Sequence, residues 1–383
     1  MRTLKTIFLL LCSVILLGAC SHKENLGMSF SKMGLYFQWG GEPQTISYTT
    51  IDALSLELKS ATEGWTATIN HAANTITITP PQDPGDEDKR DTMREADIKF
   101  AITGESGTTS YYTVNAYIIG DSLIALGSNG EYANCYILTT PKTAYTLDVT
   151  KNGAGQALSG VADAKVLWQS YYGTLEHFTF NEEDGTVSFY VDAKTEDDDE
   201  EVYIKENGAY VMRDGNALIA AVDASGNILW SWHLWICKAT NNPLNDFSTY
   251  SNGVTFMGRN LGAYGNSNGA TDNTNLILDS YGLYYQWGRK DPFLRPYYHD
   301  CAGGDDEYVY SGSNSAAYIE YAECSTETGT VEYAIAHPTT FITNAACVDA
   351  ENGDGIGDWL STPDSSLWSG ATKSAYDPCP YGW

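Results

Sequence analysis

The chain has 383 residues and carries 49 acidic against 21 basic side chains, a formal net charge of −28 at pH 7. So acidic a surface repels nucleic acid and anionic lipid headgroups, which excludes nucleic-acid binding as a role. With 27 Tyr and 10 Trp, abundant Thr, Gly and Asn, and few long stretches of helix-favouring residues, the composition predicts a mainly β protein of two or three domains.

At the amino terminus, Arg2 and Lys5 precede an apolar run from Ile7 to Leu17, and Leu17-Gly18-Ala19-Cys20 follows at once. The run is far shorter than the roughly 20 residues of a spanning helix, and small residues before a cysteine suit a signal peptidase. The segment resembles a bacterial lipoprotein signal. The resemblance implies that residues 1–19 are removed, that Cys20 carries lipid, and that the protein is anchored in the outer membrane with its body at the cell surface. Removing residues 1–19 takes two basic groups and no acidic ones, leaving 19 minus 49, a net charge of −30. Residues 20–29 then form a tether; its polar start, Ser21 to Asn25, is similar to the export tag of Bacteroidales surface lipoproteins, without the usual acidic pair.

Residues 30–120 alternate in short strands: LYFQW, TISYTT, LSLELKS, WTATIN, TITITP, DIKFAIT and YYTVNAYI. Seven strands at this spacing suit an immunoglobulin-like sandwich, and the Pro- and Asp-rich stretch at 80–94 reads as a polar loop between them. The Gly40-Gly41 turn, the Gly64-Trp65 strand opening and the Thr75 to Pro81 strand resemble BACON-like modules of Bacteroidales envelope proteins. That resemblance implies a spacer, or a module that touches glycans.

Residues 121–257 read as a second β-rich domain. ANCYIL (133–138) stands near one end, and GNALIAAVDASGNILWSWHLWI (215–236) near the other. Asp223-Ala224-Ser225-Gly226-Asn227 has the chemistry of a hairpin turn. In the strand after it Trp230 and Trp232 share one face, while His233 and Trp235 share the other. Tryptophan on both faces means either burial on two sides or one side open for binding. The acidic run EDDDEE (196–201) lacks the Gly or Asn that lets a backbone turn around a cation, and reads as solvated loop. Asn352-Gly353-Asp354-Gly355 is closer to a cation loop but lacks a terminal bidentate Glu, so no metal and no cofactor is expected. Beyond Cys12 and Cys20 six cysteines remain, namely Cys135, Cys237, Cys301, Cys324, Cys347 and Cys379, with no CxxC; their spacing selects no disulfide pairing.

From residue 258 the chain reads RNLGA (259–263), GLYYQWGRKDPF (282–293), Asp358-Trp359, Leu367-Trp368 and YDPCPYGW (376–383). The echo of GLYYQWG at 34–40, GLYFQWG, stops at those seven residues and reads as two similar strands, not a repeat. The ordered phrases resemble the Fibrobacter succinogenes major paralogous (FISUMP) domain carried by fimbrillin-like surface lipoproteins of Bacteroidales. That resemblance implies an α+β fold akin to C-type lectin-like modules over 258–383, and a surface adhesin or fimbria-associated binding protein. It also implies truncation, since the family pattern runs on past the CPxGW phrase. Trp287, Trp359, Trp368 and Trp383 are expected as core anchors, while Tyr284, Tyr285, Arg289, Lys290, Asp291, Tyr297 and Tyr298 are the candidate ligand contacts. The expected partners are the membrane through Cys20, a glycan or host surface protein, and fimbrial subunits. A glycan-capturing lipoprotein is the alternative, with aromatic rings stacked on sugar and nearby polar groups bonded to hydroxyls. No GxSxG, HExxH or phosphate-loop motif is present, so the function is expected to be non-catalytic, a glycan-active enzyme being the remote alternative because paired carboxylates meet only in space.

Overall fold

The computed structural model describes residues 25–32, 34–37, 39–118, 123–171, 173–191, 194–197, 200–203, 205–206, 209–266, 274–293, 309–313, 316–344, 358–368 and 373–383. Cys20, Tyr297, Tyr298, Cys301, Cys347 and the 352–355 phrase lie outside the described residues. The protein is mainly β, as the composition predicts. It divides into two compact units, Met1–Leu35 with Gly40–Ala116, and Tyr36–Trp39 with Tyr117–Trp383.

The first unit is a sandwich. Strands β1 (Gly27–Phe30), β3 (Gln44–Ile51), β6 (Thr75–Thr79) and β5 (Thr66–Asn70) make one sheet in that order. The other runs β2 (Gly34–Phe37), β8 (Thr109–Ile118), β7 (Glu95–Thr103) and β4 (Ser55–Ser60). Alternation sets the faces: in TITIT only Ile76 and Ile78 are fully buried, as the period of two requires. Phe30 and Phe100 meet across the sheets with ring centroids 5.8 Å apart. All seven expected strands are present, and β1 is an addition. The expected loop at 80–94 contains a short helix, α1 (Glu87–Met93). Asp86 caps it by accepting from the Lys89 amide, and Arg90 makes paired bonds of 2.8 and 2.7 Å to Asp83. Its carbonyl end meets the core, where Met93 O accepts from the indole of buried Trp65 at 2.8 Å.

The second unit begins with β9 (Leu123–Leu126), β10 (Cys135–Leu138), β11 (Thr143–Asp148), β12 (Asp163–Gln169), β13 (Glu176–Asn181) and β14 (Thr186–Val191). Two small hairpins follow, β15 (Lys194–Asp197) with β16 (Glu200–Tyr203) and β17 (Lys205–Glu206) with β18 (Ala209–Tyr210). Strands β19 (Gly215–Val222) and β20 (Ile228–Ile236) form the expected long hairpin. Its turn is built as the sequence predicts, with the Asp223 carboxylate accepting from the Ser225 amide and from the amide and side chain of Asn227, while Gly226 takes φ +84°. Then come β21 (Phe247–Thr249), β22 (Thr255–Met257), α2 (Thr274–Asp279), β23 (Val309–Tyr310), β24 (Ala316–Ala317), β25 (Glu320–Glu323), α3 (Val331–Ala336) and β26 (Thr340–Thr343).

A six-stranded sheet in the order β10-β20-β19-β12-β23-β24 faces a four-stranded one, β13-β14-β11-β9. Their shared core holds Trp230, Trp232, Leu234, Tyr145, Phe189 and Ile219. Because β12 pairs with β23, the sheet joins residues expected as separate domains on either side of Met257. Both faces of β20 are buried: Ser231, His233 and Trp235, opposite the core tryptophans, are no more than 1% exposed. Of the two outcomes that its tryptophans leave open, the structure takes burial on two sides. What covers the second face is the chain after Gly258.

Candidate ligand-binding cleft

The RNLGA phrase docks on the hairpin through two side chains. Asn216 donates to Gly262 O at 3.0 Å while its oxygen meets His233 Nε2 at 2.8 Å, and the Trp235 indole donates to Ala263 O at 3.2 Å. Leu283 N then donates to Leu261 O, laying the GLYYQWGRKDPF segment against that anchor. Within the segment Tyr284 and Phe293 form an antiparallel bridge, closing a loop whose turn at Gln286–Arg289 needs Gly288 at φ +87°. A side chain at Gly288 would also strike Leu367, whose atoms come within 2.9 Å of a Cβ there.

That loop turns its charges inward. Arg289, Lys290 and Asp291 are each 2% exposed. The Arg289 guanidinium donates to Gln286 Oε1 at 3.0 Å and to the carbonyls of Thr340 and His337 at 2.8 and 3.1 Å, fastening α3 and β26 to the loop. Burial lowers its pKa to about 10. Lys290 Nζ lies 2.6 Å from Asp291 Oδ1 and 3.2 Å from Ser231 O, and the Ser231 hydroxyl donates to the same carboxylate at 2.6 Å. Burial pushes the Lys290 ammonium below its ordinary range, against the raising effect of Asp291. His233 beneath the loop is held neutral, its pKa lowered by burial to about 3. Desolvation likewise raises the Tyr285 phenol, whose hydroxyl lies 3.4 Å from His233 Nδ1.

The closing phrase is held the same way. Asn134, from ANCYIL, donates to the carbonyls of Ala375 and Asp377, both at 2.8 Å, and accepts from the Trp230 indole at 2.9 Å. Lys373 bonds to Asp377 at 2.9 Å, and the Asp377 carboxylate also accepts from Cys379 N at 2.7 Å.

Between these three segments lies an open cleft of about 600 Å³, lined by Asn260, Tyr281, Tyr284, Tyr285, Trp368 and Asp377 among others. Tyr281 is 47% and Tyr284 49% exposed, so both present surface to the cleft. Of the seven contacts expected from sequence, Tyr284 and Tyr285 line the cleft, and Tyr297 and Tyr298 lie outside the described residues. Arg289, Lys290 and Asp291 do not reach it, because their charges are spent on carbonyls and on one another inside the unit. Asn260, Tyr281, Trp368 and Asp377 also line the cleft and are not among the contacts expected from sequence, although Asn260, Trp368 and Asp377 stand inside the quoted phrases. Of the expected anchors Trp359 is buried, donating to Trp287 O at 2.6 Å, whereas Trp287 is 61% exposed and extends the aromatic surface, its ring 4.9 Å from that of Trp368. Among the described residues no cluster of three or more His, Cys, Asp or Glu is placed to hold a metal, and no helix is long and apolar enough to cross a membrane.

No protein-family model matches the sequence, and no curated protein does. Solved structures that the chain matches weakly include the protocadherin GammaB4 extracellular domain, 11% identical over 55% of this chain and 33% of that one, with a TM-score of 0.19. Human mucin-like protocadherin EC1-2 is 10% identical over 56% of this chain and 99% of that one, at a TM-score of 0.20. SporoSAG from Toxoplasma gondii is 10% identical over 54% and 96%, at 0.17. At these TM-scores the likeness carries no argument about ligand or activity.

Proposed function

We propose that the protein is a lipid-anchored cell-surface adhesin or fimbria-associated binding protein, non-catalytic, whose cleft at 260–261, 281–285, 368 and 377–379 takes the ligand. The carrying observation is the cleft itself: exposed Tyr281 and Tyr284 stand on segments held by the hydrogen bond from Asn216 to Gly262 and by the buried Lys290–Asp291 pair, so the aromatic surface is preformed. Support for the anchor comes from the Leu17-Gly18-Ala19-Cys20 context, and for adhesion from the resemblance of 258–383 to the FISUMP domain. A second reading, glycan capture, is favoured by the company these rings keep. Tyr281, Tyr284 and Trp368 offer flat apolar faces, and Asn260 and Asp377 offer a polar edge for hydroxyls.

An array of glycans and host surface proteins, probed with the full chain, tests both. Binding that Tyr284→Ala weakens about tenfold or more, with stability unchanged, supports the cleft as the site. Binding that is indifferent to Tyr281→Ala and Tyr284→Ala refutes it. For the anchor, Cys20→Ser is expected to abolish metabolic labelling by palmitate; undiminished labelling refutes lipidation at Cys20.

A further inference from the structure

Two phrases that stand far apart in the sequence, ANC at 133–135 and PCP at 378–380, meet in space. Cys135 opens the edge strand β10, and it pairs with Pro380 in a parallel bridge. The bonds from Asn134 to Ala375 and Asp377 hold the same two segments together from one residue earlier. Bridged strands lie about 4.8 Å apart and successive Cα atoms about 3.8 Å, which puts the Cα atoms of Cys135 and Cys379 roughly 6 Å apart. Disulfides span Cα separations of about 4.4–6.8 Å. Among the other described cysteines, none is so placed. The register of β10 on β20 sets Cys135 opposite His233, so Cys237 lies four residues further along, roughly 13 Å away. Cys324 follows β25, in another sheet. Both partners are free thiols in the structure, Cys135 buried and Cys379 half-buried on the cleft wall. Burial, then the neighbouring Cys379, pushes the Cys135 thiol well above its ordinary value, and burial raises Cys379 to about 12.

We propose that Cys135 and Cys379 form a disulfide in the exported protein, stapling the tail that walls the cleft to the edge of the core sheet. The two thiols give up two protons and two electrons, and one S–S bond forms as an external disulfide, protein-borne or oxidised glutathione, is cleaved to its two thiols. Thiols raised by burial attack slowly, so the bond forms while the chain folds, before Cys135 is covered. The bond would make covalent what Asn134 does by hydrogen bonds.

The staple rests on the export reading for its oxidant. A glutathione redox buffer removes that dependence, so failure of the test refutes the pairing and leaves export untouched. The purified full chain is unfolded, refolded in the buffer, alkylated and digested with trypsin. Cleavage after basic residues leaves Cys135 in the peptide 100–142, Cys379 in 374–383, Cys237 in 214–238, and Cys301, Cys324 and Cys347 together in 291–373. The expected result is 100–142 joined to 374–383, separable by a reductant, with Tm falling by about 5–10 °C on reduction. The variant with both Cys135→Ala and Cys379→Ala is expected to have a Tm that reductant does not move. Alkylated Cys135 and Cys379, or either one joined to another cysteine peptide, overturns the proposal.

Discussion

Lys290 and Asp291 lie in a loop where charged residues would ordinarily face solvent, and a pair of substitutions decides whether they serve the core or a ligand. Their charged atoms are 2.6 Å apart on side chains only 2% and 3% exposed, and the Ser231 hydroxyl bonds to the same carboxylate oxygen. Lys290→Met leaves that carboxylate with one hydroxyl donor and without its ion-pair partner; Asp291→Asn leaves an ammonium in the same surroundings. Breaking a buried pair from one side costs about 3–5 kcal/mol, while replacing both members with neutral groups of similar size is often close to neutral. The double variant is therefore expected within about 2 kcal/mol of the native chain, which makes the coupling between the two changes about 4 kcal/mol or more. Urea unfolding followed by tryptophan fluorescence reads this directly, because Trp230 and Trp232 belong to the core beside the pair. With a slope of about 2–3 kcal/mol per molar urea, each single variant should shift the midpoint down by about 1–2 M. Single variants within about 0.5 kcal/mol of the native chain, adding without coupling, would refute the assignment of this pair to the core.

Three further outcomes follow from the buried groups. His233 has a folded pKa of about 3 against about 6.5 unfolded, so its contribution is fully present above pH 6.5 and is lost as pH falls, by about 1.4 kcal/mol per unit; denaturation at pH 7 and pH 5 should differ by about 2 kcal/mol, and His233→Gln should flatten that difference. Asp214 runs the other way, its folded pKa raised by burial to about 6, so its penalty appears as pH rises from about 4 to 6. Asp214→Asn, which keeps the acceptor for Lys238 N, should stabilise by about 1–2 kcal/mol at pH 7 and by nothing at pH 4, measured by thermal or urea unfolding. Asn134→Ala removes two donors to the closing segment and orphans the buried Trp230 N–H, with an expected loss of about 2–4 kcal/mol and faster chymotryptic cleavage after Tyr376; unchanged cleavage would remove Asn134 as the tail's latch.

Much of the framework is legible in the sequence because it is local. Alternation in TITIT and DIKFAIT specifies strands and faces, and the Asp223 to Asn227 turn carries its own hydrogen-bond partners within five residues. The helix at 87–93 escaped because it is short and has no apolar stripe; its only signal is Asp86 placed three residues before Lys89. The burial of Arg289, Lys290 and Asp291 escaped for a different reason. Their partners are Thr340, His337 and Ser231, about fifty residues away in either direction, and no local pattern distinguishes an inward-facing RKD from the usual solvated one.

This inversion bears on where ligand specificity can reside. The phrases RNLGA, GLYYQWGRKDPF and YDPCPYGW are fastened to the core sheet and its flank by Gly262 and Ala263 to the hairpin, Lys290 to Ser231, and Asp377 to Asn134. Lys290 acts through its side chain and cannot change without stripping the buried Asp291 carboxylate of its ion-pair partner, while the other bonds end on backbone carbonyls and hold the course of the chain. Within the same loop, Tyr285 faces His233 at the floor while Tyr284, one position earlier on the bridge to Phe293, stands 49% exposed at the rim. Successive residues of an extended strand point to opposite sides, so one phrase supplies both the fixed floor and the free surface. A side chain able to vary at little cost to stability is Tyr284 at the rim, and a ligand preference can be tuned there while the charged centre of the loop continues to hold the fold.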